Sequence, residues 1–155
     1  MQQQRGGNTM RLSSVRIELI KERGVSYDAP TSLTCGHDVA MLVQEIIGNA
    51  DREHMISISL DSKNRPLHIH TISIGSLNAA VVHPREVFKA AILANAASIA
   101  LAHNHPSGDP SPSREDIEIT KRIKECAELL GIRLLDHVII GELGTYYSLA
   151  DNKQI

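Results

Sequence analysis

His103 and His105 stand two residues apart at the end of an apolar run, and Asp116 follows after a loop that carries Pro106, Gly108, Pro110 and Pro112. Two imidazoles and a carboxylate are ligand types for a zinc-like ion. Three protein ligands leave a fourth position open to water, as in catalytic rather than structural sites. An ion held in this way draws the pKa of a water from 15.7 towards about 7 and polarises a carbonyl, so hydrolysis of an amide needs no activated serine or cysteine. The residue types and their spacing predict a metal-dependent hydrolase with His103, His105 and Asp116 as the ligands.

Converging these groups takes a strand, a stiff loop and a helix start. SIALAH is a short, nearly unbroken apolar run and reads as a strand buried on both faces. Residues two apart on a strand leave the same face, so His103 and His105 converge while Asn104 points away. The prolines and Gly108 fix turns and reduce the entropy lost on ordering the loop, and Asp116 falls in the first turn of the helix that follows. A structural reading exists for the same residues: loop histidines often serve as surface hydrogen-bonders, and Ser113 with Asp116 approximates the S-x-x-D form of a capping box. His68 and His70 form a second HxH, with no carboxylate at a helix start behind it. They read as ordinary strand residues, with a place near a substrate groove as the alternative. His37, His54, His83 and His137 lack such pairing and read as ordinary residues.

Around this centre, HDVAMLVQEII (37–47) has helical spacing and stops at Gly48 and Asn49, and residues 53–75 alternate as a hairpin about SKNR. Pro84 suits the first turn of a second helix. A third helix begins at Ser113, with Ile117, Ile123, Ala127 and Leu130 spaced for one face, and ends at Gly131. IRLLDHVIIG and TYYSLA supply two last strands. This order predicts an α/β domain with a mixed sheet and helices against it. Residues 1–33 divide into a polar leader over 1–10 and a short helix over 12–23, with Val15, Leu19 and Ile20 as its apolar positions; residues 34–155 form the domain.

The 155 residues carry a formal charge of -2, so no broad positive field gathers phosphates, and DNA is not an implied partner. Cys35 and Cys126 make neither a four-thiolate knuckle nor a disulfide framework, which suits the cytoplasm. No stretch approaches the roughly 20 apolar residues of a membrane span. No membrane association is expected, and oligomeric state is not specified by these patterns.

AHNHPSGDPSPSREDIEITKR, with HPREVFKAAILANAASI before it and LLDHVIIG after it, resembles the RadC-type branch of the JAB/MPN (JAMM) metalloprotease domains over approximately residues 34–150. The JAMM pattern is a distant glutamate, then HxH, seven residues, Ser, two residues and Asp, and His103, His105, Ser113 and Asp116 match it with the spacing intact. The resemblance implies Zn(2+) held by His103, His105 and Asp116, and Ser113 steadying the tetrahedral oxyanion. It implies Glu53, at the start of the first strand, as general base, with Glu86 in HPREVF as the competitor. It also implies a three-layer α/β/α fold similar to that of cytidine deaminases. Deaminase chemistry is disfavoured, because the H-x-E and P-C-x-x-C pattern is missing. The expected function is a zinc peptidase or isopeptidase acting on a peptide or protein substrate. The alternatives are a DNA-repair-associated metal-dependent protein, after the family's older label, and a non-catalytic MPN-like interaction domain.

Overall fold

Strands apolar on both faces belong inside a sheet, where layers on either side exclude water. The computed structural model describes residues 12–24, 26–28, 30–75 and 82–155. In it β1 (His54–Leu60) and β3 (Ser98–Asn104), both buried almost throughout, lie side by side near the middle of a five-stranded sheet. β2 (Pro66–Ile74) pairs with β1 as the antiparallel arm of a hairpin and forms one edge. On the other side β4 (Arg133–Ile140) runs parallel to β3, and β5 (Tyr146–Ser148) closes the sheet antiparallel to β4, giving the order β2-β1-β3-β4-β5.

α1 (Gly36–Ile47) covers one face, packing Val39, Leu42 and Val43 against Ile56, Ile58, Ala102 and Val138. α2 (Pro84–Leu93) and α3 (Arg114–Leu130) cover the other, where Val87, Phe88, Ile119 and Ile123 meet Ile99 and Leu101. The result is the expected three-layer α/β arrangement with a mixed sheet. The parallel pair β3 and β4 needs a crossover, and α3 supplies it. That connection sets the start of α3 beside the carboxyl end of β3, which is where the candidate ligands sit. Among the described residues no helix is long and apolar enough to cross a membrane.

Two expectations are corrected. Residues 12–23 form no helix: the segment is irregular, and Leu12, Val15, Ile17 and Ile20 are largely exposed. A twelve-residue helix is marginal in water without a surface for its apolar stripe, and this one finds none. The buried face of α3 is made by Asp116, Ile119, Thr120, Ile123 and Ala127, whereas Leu130 is exposed. The inward-facing Asp116 turns the face away from the one traced through Ile117. The leader over 1–10 lies outside the described residues.

Candidate metal centre

At the end of β3 the alternation of the strand separates two polar side chains. His103 continues the Leu101 face toward α3 and is fully buried, while Asn104 continues the Ala102 face toward α1. His105 follows just past the strand, its N–H donating to the carbonyl of Ile140 on β4 at 2.9 Å. The Nε2 atoms of His103 and His105 stand 3.0 Å apart. Asp116 closes the triangle, with Oδ1 at 3.2 Å from His103 Nε2 and Oδ2 at 3.5 Å from His105 Nε2. Ligand bonds of about 2.0–2.1 Å in tetrahedral geometry give edges of about 3.3 Å, so the three groups fit around one zinc-sized ion. They form a cluster able to hold a metal.

Each candidate ligand has an outer partner. His105 Nδ1 lies 2.8 Å from the carbonyl of Asp109; a carbonyl only accepts, so Nδ1 carries the proton and Nε2 is the nitrogen free to meet an ion. Asp116 Oδ2 accepts from the Ser113 N–H at 2.8 Å and hydroxyl at 2.7 Å, and the Asp116 N–H returns to Ser113 Oγ, completing a capping box at the start of α3. His103 Nδ1 lies 2.8 Å from His137 Nε2, a buried residue of β4, and His137 Nδ1 contacts Thr120 Oγ1. Burial alone pushes the Asp116 carboxyl up. The close imidazoles of His103 and His105, with the hydrogen bond from Ser113, nonetheless hold it far below the usual carboxylate range. His105 is raised, chiefly by Asp116 against an opposing effect of burial, with the Glu53 charge contributing. Burial, with the neighbouring His103, pushes His137 down to about 3.

Glu53 precedes β1 and is half-buried. Met55 pairs with His103 across β1 and β3, so continuing that antiparallel register brings Glu53 alongside His105. Asn104 fixes the backbone on both sides of Glu53: its Oδ1 accepts from the His54 N–H at 2.8 Å, and its Nδ2 donates to the Arg52 carbonyl at 3.0 Å.

A family model described as the RadC-like JAB domain matches residues 33–154. The chain belongs to the RadC-like JAB domain family. Similar relatives include a UPF0758 protein of Geobacillus thermodenitrificans, 54% identical over 110 residues, covering 71% of this chain and 49% of the relative. Another, from Desulforamulus reducens, is 56% identical over 110 residues (71% and 48%). One from Caldanaerobacter subterraneus is 57% identical over 111 residues (72% and 48%). The chain thus spans about half the length of these relatives.

In this RadC-like domain the three residues expected as ligands come together. The competitor Glu86 lies on α2, ion-paired with Lys89 and 3.8 Å from Arg85, where its charge is felt at His70. Ser113 caps α3 and gives its hydroxyl proton to Asp116. His68 and His70 sit half-buried on the edge strand β2, opposite Ser59 and Ser57, and burial lowers both imidazoles. His137, which reads from the sequence as an ordinary residue, Asn104, which points away from the histidine pair, and Thr120 all join the hydrogen bonding around the centre. The signal for His137 was an imidazole inside the apolar run LLDHVIIG.

The loop from His105 to Ser113 is locked onto the turn after β4. Gly108 has φ +88, and a Cβ there would stand 2.6 Å from Glu142 Cγ, while the Glu142 N–H donates to the Gly108 carbonyl at 3.0 Å. Positive φ and close approach together require glycine. Gly108→Ala is expected to cost about 1–3 kcal/mol of stability and to weaken metal binding. Urea unfolding and a chelator competition read the two effects, and unchanged values in both would show the loop to be permissive.

Proposed function

We propose that this domain is a zinc-dependent hydrolase of amide bonds, a peptidase or isopeptidase, acting on an extended peptide or protein tail. The observation that carries the reading is the triangle of His103 Nε2, His105 Nε2 and an Asp116 carboxylate, with Glu53 beside it by strand register. A bound zinc-type ion supplies acidified water and a polarised carbonyl. Glu53 takes the proton from the attacking water and returns one to the leaving amine. His103, His105 and Asp116 are the ligands. Ser113 offers its hydroxyl to the developing oxyanion by turning from Asp116 Oδ2, which keeps the Ser113 N–H as a donor.

The surroundings favour a peptide over a nucleic acid. A cleft of about 420 Å³ adjoins the site, lined among others by Gln44, Asn49, Asp51, Asn104, His105 and Glu142. Amide groups suit a peptide backbone, whereas the negative charge of Glu142 at the cleft disfavours a phosphate chain. The test is incubation of zinc-loaded protein with a mixed peptide library read by mass spectrometry. New termini are expected with zinc, none after chelation, and recovery on adding zinc back. Cleavage that persists through chelation would contradict the reading.

A further inference from the structure

We propose that His137 and Thr120 are positioning residues that set the tautomer of His103, so that its Nε2 presents a lone pair to the ion before the ion arrives. The inference rests on the reading of His103 as a ligand, and its logic is the direction of each hydrogen bond. Thr120 Oγ1 lies 2.6 Å from the backbone carbonyl of Asp116. A carbonyl can only accept, so the single hydroxyl proton of Thr120 is committed there.

The same oxygen contacts His137 Nδ1. With its proton spent, Thr120 Oγ1 accepts in this second bond, and Nδ1 of His137 is the protonated nitrogen. His137 is fully buried and packs against a second imidazole, at 4.9 Å between ring centroids; an extra charge in that setting is costly, so the ring is neutral and Nε2 is its lone-pair nitrogen. His103 Nδ1, 2.8 Å away, must then donate. One arrangement of protons satisfies the bonds that run from the Asp116 carbonyl through Thr120 and His137 to His103 Nδ1, and it leaves His103 Nε2 bare toward His105 and Asp116, a cluster of lone pairs that a cation would satisfy.

The chain of bonds begins at the backbone of one ligand, Asp116, and ends at the ring of another, His103. His103, His137 and Thr120 are each fully buried, so solvent does not offer a substitute partner. The relay also ties β3, β4 and the first turns of α3 into one unit around the site. In Thr120→Val the volume is kept and the acceptor for His137 Nδ1–H is lost. The better alternative is then for His137 to protonate Nε2 and donate to His103, which moves the His103 proton onto Nε2, the ligand atom.

The experiment is long-range proton–nitrogen NMR of the imidazoles in metal-free protein, with zinc affinity measured in parallel by competition against a chelator. Wild type is expected to show His103 protonated on Nδ1. Thr120→Val is expected to shift His103 toward the Nε2-protonated form and to lower zinc affinity by about 10–100-fold, with Thr120→Ser restoring both. A wild-type His103 protonated on Nε2 overturns the proposal, as does a folded Thr120→Val with unchanged tautomer and affinity. If Thr120→Val does not fold, the wild-type tautomer decides alone. Zinc binding that is indifferent to His105→Ala would instead defeat the metal-site reading, while the tautomer of the metal-free protein would still judge the relay.

Discussion

Glu53→Gln is expected to retain one zinc per chain and to slow amide cleavage by about 100- to 10,000-fold. Glutamine keeps the shape and hydrogen-bonding reach of the side chain but cannot take up a proton at the reaction's pH. The effect should fall on turnover rather than on metal affinity, because Glu53 is not one of the three clustered ligands. Its place depends on the pairing of Met55 with His103 and on the two bonds from Asn104 to the flanking backbone. The parallel variant Glu86→Gln breaks an ion pair with Lys89 on α2 and should leave turnover near wild type. Turnover unchanged in Glu53→Gln and lost in Glu86→Gln would move the base to α2.

Asp116→Asn is expected to lower zinc affinity by more than the 10–100-fold typical of an outer partner, since it removes the anionic group proposed as a ligand. The amide keeps the volume and an acceptor for the Ser113 N–H, so the cap of α3 should be largely preserved. A large loss of metal with a small change in unfolding midpoint is therefore the signature of a ligand. The reverse, a destabilised helix with unchanged zinc affinity, would mark Asp116 as a capping residue and return it to the structural reading of S-x-x-D.

The centre was legible in the residues because most of its geometry is local. An apolar strand, an HxH at its end, a proline-rich loop and a capped helix start leave little freedom for His103, His105 and Asp116. The three-layer order was legible for a similar reason: the hairpin and the helix between β3 and β4 follow from patterns of two and of about 3.6 residues. His137 was not legible, since its contact with His103 spans 34 residues and arises only once β4 lies parallel to β3 in a particular register. The buried face of α3 departs from the apolar line through Ile117 because the buried Asp116 carries no apolar signal. Residues 12–23 stay irregular despite their helical spacing, because such spacing makes a helix only where another surface receives its stripe.

X-ray absorption at the zinc edge of the loaded protein tests the shared ion most directly. One zinc per chain is expected, with two imidazole nitrogens and oxygen donors at about 2.0–2.1 Å, and with that spectrum lost in Asp116→Asn. A sulfur shell at about 2.3 Å, or a spectrum identical in wild type and Asp116→Asn, would contradict it.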